Sequence, residues 1–238
     1  QFGTMGKPYH AGMAASNGIE AALLAKAGFI SRSSAFDGEQ GFSETHAGEG
    51  NESAFDGMGH KFIFTDVQHK YHACCHGIHA SLEALQKATT GERASPEHIE
   101  SITIYVHSRM LRMCNIASPQ TGLEAKFSLR LMMALQILGY NTAALDTYTD
   151  EVCVAPSVTA LRDRVEVKSD DNLTDTQAVV TITDKIGLEK TAQYDLSAPM
   201  PFAEKQSRIM AKSASLLGDA TAKQLWNTVS AEQVVPVL

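Results

Sequence analysis

Strict alternation of apolar and polar residues occurs only in the middle of this chain, and it limits the folds that the chain can adopt. The stretch "IESITIYVHS" places Ile102, Ile104 and Val106 on one face, which is the pattern of a half-buried β-strand. The stretches "KFIFTDV", "DRVEVKSD", "QAVVTITD" and "EKTAQYD" predict further short strands. Strands confined to one region and flanked by helices predict an α+β fold.

Helical patterns occupy both ends of the chain. An Ala-rich helix is predicted from about Ala11 to Ala27, with Gly28 as its C-terminal stop. After two prolines the chain returns to helix in "FAEKQSRIMAKSASLLG" and "ATAKQLWNTVS". The middle region adds two amphipathic helices, in "HGIHASLEALQKATTG" and in "GLEAKFSLRLMMALQILG".

This order of elements predicts three segments. A compact α+β unit is expected over residues 61–198, and residues 1–60 and 199–238 are expected to pack together as parts of one helical body. These flanks carry too little apolar surface for a core of their own. The sequence also begins at Gln1 without an initiator Met. We therefore expect the sequence to be a cleavage product or a part of a longer protein.

Composition narrows the classes of function. Of the 238 residues, 44% are hydrophobic, enough for a folded core, and the net charge of −7 disfavours nucleic acid as a partner. No apolar run approaches the roughly 20 residues that cross a bilayer, so no membrane partner is expected. The four cysteines do not form a disulfide framework, which predicts reduced thiols and a cytoplasmic location.

The segment "HKYHACCHGIH", residues 69–79, concentrates histidine and cysteine and has several interpretations. Zinc prefers about four ligands at spacings such as C-x₂-C, whereas Cys74 and Cys75 are adjacent and point apart. A thiol nucleophile paired with His72 or His76 is a second interpretation. The others are simple packing of small apolar thiols, and chemistry centred on Lys70.

Three segments together resemble one family. "GKPYHAGMAASNGIEAALLAKAGF" is similar to the Lys-x-x-His-x-Gly-x-Ala-Ala block of the MmgE/PrpD family, the 2-methylcitrate dehydratases. The segment from Lys70 is similar to its Lys-x-(Tyr/Phe)-Pro-Cys-Cys-x-x-x-His block. "EAKFSLRLMMALQILG" resembles its Ala-Lys-Phe-Ser block. The blocks occur in the family's order and cover about the C-terminal half of a family member. The resemblance therefore implies that most of the helical domain lies N-terminal to this sequence.

The resemblance implies a fold and a set of activities. Members combine a discontinuous helical domain with an α+β lid domain and commonly form homodimers. They include 2-methylcitrate dehydratases of propionate catabolism, a cis-aconitate decarboxylase and an iminodisuccinate epimerase. The resemblance implies a small polycarboxylate substrate, no metal and no organic cofactor. We therefore expect residues 69–79 to be an active-site wall.

Handling a proton next to a carboxylate requires fixed cations and a base. Lys7 and Lys70 are the predicted cations, and Lys7 is expected just before a helix start, where free N–H groups also favour anions. His10 and His79 are the predicted acid–base residues. The alternatives are surface positions for both lysines, a capping or packing role for His10 and a core position for His79.

Two further positions are expected to contact substrate. Cys75 occupies the place of a histidine in the decarboxylase pattern, so the resemblance favours a hydro-lyase. Arg130 replaces the family's usual proline and is predicted either to bind substrate or to face solvent. An inactive lid or binding module remains an alternative, and a small zinc-binding module is a further one.

Overall fold

The computed structural model describes residues 2–46, 51–62, 64, 67–90 and 95–231. It divides into two compact units. The smaller is Gly6–Val67, and the larger contains the described residues of Gln1–Met5 and Gln68–Leu238. The described residues form ten α-helices and one four-stranded sheet, which confirms the α+β fold class.

The smaller unit is helical. Helix α1 spans Gly6–Lys26, so it starts earlier than the sequence pattern predicted, and it buries none of its residues within this unit. Helix α2 spans Phe42–His46, and a 3₁₀ turn spans Glu52–Phe55. The predicted strand "KFIFTDV" lies partly outside the described residues; its described positions are exposed and form no strand, because they have no neighbouring strand to pair with.

The larger unit contains the sheet. Its strands are β1 (Ile99–Val106), β2 (Val165–Ser169), β3 (Gln177–Asp184) and β4 (Glu189–Asp195), in the order β2-β1-β3-β4. Strand β1 pairs with β2 in parallel and with β3 antiparallel, and β3 pairs antiparallel with β4. All four strands follow stretches whose alternation predicted them.

The helices of the larger unit cover one face of the sheet and extend beyond it. They are α3 (His76–Ala88), α4 (Ser108–Met113), α5 (Gly122–Ala125), α6 (Leu129–Ile137), α7 (Asp150–Val154), α8 (Pro156–Arg162), α9 (Phe202–Leu217) and α10 (Asp219–Ser230). Helix α3 packs on β3 and β4, and α6 packs on α3 and β2. The apolar side of β1, including the fully buried Ile102 and Ile104, completes the core.

The helix predicted as one piece over "GLEAKFSLRLMMALQILG" is two helices, α5 and α6. Ser128 has extended backbone angles and its hydroxyl accepts a hydrogen bond from the N–H of Leu131, so it caps a new helix. The apolar periodicity continues across the break, which explains why the pattern concealed it. Gly139, at φ 83°, follows the end of α6 as predicted.

The two compact units divide after Val67, and the three predicted segments, 1–60, 61–198 and 199–238, stay a prediction. Helices α9 and α10 lie in the unit that contains the sheet, and an ion pair between Arg208 and Glu83 joins α9 to α3. The packing of residues 1–60 with 199–238 stays a prediction. Within the described ranges, no helix is both long enough and apolar enough to cross a membrane.

Candidate active site

The segment that leads into α3 is held by backbone hydrogen bonds. The N–H of Ala73 donates to the carbonyl of Thr142 (2.8 Å), and the N–H of Cys75 donates to the carbonyl of Lys126 (2.9 Å). Cys75 is the N-cap residue of α3, and its side chain makes no capping hydrogen bond. The first turn of α3 therefore retains N–H groups and a partial positive charge that favour an anion.

Lys70 lies beside this helix start. Its Nζ donates a hydrogen bond to the carbonyl of Cys74 (3.1 Å), and the residue is exposed. One of the three N–H bonds of the ammonium is thus committed to the protein and two remain for a ligand. The arrangement suits a carboxylate, because a cation and a helix N-terminus reinforce each other.

The cysteines have the character of core residues. Cys74, Cys75, Cys114 and Cys153 are all reduced and buried. Burial, together with Cys75, raises the pKa of the Cys74 thiol well above its usual range, and a hydrogen bond with Cys75 and burial raise that of Cys114. A thiolate nucleophile is disfavoured here, because the reactive form is the charged one.

Three histidines cluster near Lys70, with the rings of His72 and His79 edge to face and those of His76 and His79 tilted. The ring of His79 lies 5.0 Å from that of His72 and 5.2 Å from that of His76, between centroids. His79 is fully buried, and neither of its ring nitrogens has a hydrogen-bond partner among the described residues. Burial, then the neighbouring histidines and lysines, lowers the pKa of His79 to about 2. The surroundings of His79, one of the two predicted acid–base residues, therefore disfavour proton exchange with a substrate.

His76 was considered from the sequence only as a partner of a thiol nucleophile, yet it is better placed for acid–base chemistry than His79. It is the first residue of α3 and is only partly buried. Burial and the charge of Lys70 lower the pKa of His76, which keeps its imidazole neutral near pH 7 and able to accept a proton. In the described part of the chain, no group of three or more His, Cys, Asp or Glu side chains is placed to hold a metal ion.

A polar network joins α3 to α9. His72 lies between Thr142 Oγ1 (2.7 Å from Nδ1) and Glu83 Oε1 (3.2 Å from Nε2). The same carboxylate oxygen of Glu83 accepts a hydrogen bond from Arg208, whose guanidinium stacks 4.0 Å from the ring centroid of Tyr71. Burial acts to raise the pKa of Glu83, but the bonds from His72 and Arg208 outweigh it, so the carboxyl is ionised.

A cleft of about 270 Å³ opens beside this network. Its lining residues come from the segment before α3, from the loop after α6, and from α9. They are Tyr71, His72, Asn141, Thr142, Ala143, Arg208, Ala211, Lys212 and Ser215. Arg208 and Lys212 were missed by the sequence analysis. Their spacing of four residues, with Ser215 three further on, places them on one face of α9 and was the only signal that could have found them.

The remaining predicted site residues lie elsewhere. Lys7 and His10 are exposed residues of α1 in the smaller unit, and Lys7 lies in the first turn rather than before it, because the helix begins at Gly6. The guanidinium of Arg130 donates to the carbonyl of Val165 (3.2 Å) and to Oδ1 of Asn115 (2.6 Å). The larger unit thus contains Lys70, Cys75 and His79 in one segment, while Arg130 serves contacts within the protein.

Comparison with known proteins gives two matches to one family and one relative. The MmgE/PrpD C-terminal domain matches residues 72–232, and the MmgE/PrpD N-terminal domain matches residues 2–53. The chain is 33% identical over 95 residues to the cis-aconitate decarboxylase-like protein oryM of Aspergillus oryzae (strain ATCC 42149 / RIB 40). That alignment covers 37% of this chain and 20% of the relative, so the chain spans about a fifth of the relative's length.

Proposed function

Because the chain belongs to the MmgE/PrpD family, we propose that it serves a cofactor-independent hydro-lyase acting on a di- or tricarboxylate such as 2-methylcitrate. The observation that carries the proposal is the position of Lys70. Its ammonium is fixed beside the unblocked N-terminus of α3, next to the neutral imidazole of His76. This combination suits a substrate with several carboxylates and a proton to be moved beside one of them.

The proposed chemistry is the elimination of water from a β-hydroxy acid. A base removes the proton on the carbon next to a carboxylate, and the electrons of that bond form the double bond as the hydroxyl leaves with a second proton. The products are an unsaturated acid and water. The transition state adds enolate-like negative charge to an existing carboxylate, and Lys70 and Lys7 are the proposed cations that stabilise it.

Two histidines are candidates for the base. His10 keeps the role proposed from the sequence, and the partly buried His76 is the second candidate because its imidazole is neutral. His79, enclosed in the core, would hold the rings of His72 and His76 in place. The site residues proposed for substrate contact are Lys7, Lys70 and Cys75.

The test is a product analysis on a panel of polycarboxylates. The protein is incubated with 2-methylcitrate, citrate and cis-aconitate, and products are followed by proton NMR and by carbon dioxide release. Conversion of the methyl doublet of 2-methylcitrate into the methyl singlet of an unsaturated acid, without release of carbon dioxide, is the expected result. Failure of all substrates would contradict the enzyme proposal and favour the alternative, a lid or binding module without activity.

A decarboxylase of the same family is the second candidate. Its support is the similarity of the chain to the cis-aconitate decarboxylase-like protein of Aspergillus oryzae. Carbon dioxide release from cis-aconitate, with no water lost from 2-methylcitrate, would establish that activity instead. We also propose a homodimer in the cytoplasm, which light scattering and fractionation of cells would test.

A further inference from the structure

We propose that Lys212 of α9 acts with Lys70 as a pair of cations that binds two carboxylates of one ligand. This inference rests on the proposed function for the identity of the substrate. It adds to that function a binding residue from a different helix. The Lys70–Lys212 pair gives the site a requirement for at least two negative charges. It therefore selects polycarboxylates over monocarboxylates of similar size.

Backbone geometry brings the two lysines to neighbouring positions. The hydrogen bond from Ala73 N–H to the Thr142 carbonyl (2.8 Å) joins two chain segments. Each lysine ammonium donates a hydrogen bond to the residue that directly follows one of these two, Ala73 or Thr142. Lys70 Nζ donates to the carbonyl of Cys74, and Lys212 Nζ donates to the carbonyl of Ala143. The two cations are thus anchored on adjacent backbone segments that a single hydrogen bond holds together.

The two charges lack a compensating carboxylate. In the described part of the chain, neither lysine forms an ion pair with Asp or Glu. The nearby carboxylate of Glu83 already accepts bonds from His72 and Arg208, and the thiol of Cys74 remains neutral. Burial and the positive charges of Lys70 and Lys126 lower the pKa of Lys212. A bound anion would relieve this repulsion between like charges.

The cleft next to Lys212 has the size and polarity for part of such a ligand. Its volume of about 270 Å³ lies just under the usual range for small-molecule pockets of roughly 300–1,000 Å³. The side chains of Tyr71, Asn141 and Ser215 line it with neutral polar groups. One carboxylate would bind at Lys212 inside the cleft and a second at Lys70, beside the start of α3.

The experiment measures binding rather than turnover, with citrate as the probe and acetate at equal ionic strength as the monovalent comparison. Isothermal titration is done on the full chain and on Lys70→Met, Lys212→Met, the double variant and Lys212→Arg. The exposed Lys223 of α10 provides the control Lys223→Met. Circular dichroism confirms that each variant is folded.

We expect each single Met variant to weaken citrate binding by about ten- to hundredfold, the range for a lost charge-assisted hydrogen bond. The double variant should lose less than the product of the single losses, because one ligand contacts both sites. Lys212→Arg should keep most of the citrate affinity, and Lys223→Met should leave it unchanged. The acetate titrations should be the same for all variants.

Two results would overturn the Lys70–Lys212 pair: citrate affinity of Lys212→Met within twofold of the unmodified chain, or no citrate binding by the unmodified chain. The proposed function fails in a different way. Citrate bound through both lysines, with no product from any polycarboxylate, would leave the pair intact and refute the hydro-lyase.

Discussion

Single residues at the start of α3 differ sharply in what their surroundings allow. Lys70 is exposed and keeps donors for a ligand, whereas His79 is enclosed among other rings. Sequence alone cannot distinguish these two cases, because both residues belong to the same short segment. Exposure leaves Lys70 accessible to a ligand, whereas burial keeps His79 uncharged.

Replacing either predicted cation should abolish most turnover. Lys7→Ala and Lys70→Ala are expected to lower kcat/KM for the polycarboxylate by about 10²–10³, by analogy with the loss of a preorganised donor to developing charge. The assay is the NMR product analysis. The control is Lys223→Ala, at an exposed position of α10. Retention of more than half of the activity in both variants would show that the two lysines are ordinary surface residues.

His79 should make stability depend on pH. Its folded-state pKa of about 2 lies below the value of about 6.5 for an unfolded chain, so below pH 6.5 only the unfolded state gains this proton. The contribution of His79 is complete above pH 6.5 and is lost as the pH falls. Between about pH 5.5 and 4.5, the free energy of unfolding measured in urea should fall by about 1.4 kcal/mol per pH unit through this residue. His79→Gln should remove that part of the slope; parallel slopes for the two proteins would contradict the assignment.

At the scale of elements, the apolar periodicity of the sequence predicted most of the longer helices and all four strands. Strands β1 to β4 and helix α3 follow their periodicity, because they pack around the same core. Helices α9 and α10 also follow their pattern, and they pack mainly on each other. The break between α5 and α6 was not predicted, because the capping hydroxyl of Ser128 sits within an uninterrupted apolar pattern. Helices α4, α7 and α8 are too short to show a period.

The cap at Ser128 should be measurable. Ser128→Ala removes the acceptor for the N–H of Leu131 and should lower the free energy of unfolding by about 1 kcal/mol. Ser207→Ala, at an exposed position inside α9, is the matched control and should change it little. Chemical denaturation of both variants provides the comparison. Equal effects at the two positions would mean that α5 and α6 do not depend on this cap.

The ion pair between α3 and α9 should contribute more. Glu83→Gln leaves Arg208 and His72 facing a neutral amide and should cost about 3 kcal/mol, the lower range for breaking a buried pair. Because the folded-state pKa of Glu83 is lowered, its contribution is complete at neutral pH and is lost as acid protonates the carboxyl. Thermal unfolding at pH 7 measures the loss, with the exposed Glu204→Gln as control. Similar melting temperatures for Glu83→Gln and Glu204→Gln would refute the predicted contribution of this ion pair.

At the scale of the whole molecule, the sequence predicted the half of the candidate site that is contiguous. Lys70, Cys75 and His79 share one segment, and the resemblance to the MmgE/PrpD family, now confirmed by matches to both of its domains, directed attention to it. Arg208 lies 125 residues after Glu83, and no local pattern connects them. Only the three-dimensional structure shows that the charges of Arg208 on α9 and Glu83 on α3 meet.

The pairing of the sheet has a consequence for how the larger unit acquires its structure. Strands β3 and β4 form a hairpin across a tight turn at Gly187, so they can pair as soon as both exist. Strand β1 is separated in sequence from its parallel partner β2 by α4 to α8, and its antiparallel partner β3 lies still further along the chain. Long loops must close before those contacts form, which slows folding. The hairpin is thus expected to form early in refolding, and the pairing of β1 with β2 and β3 to follow.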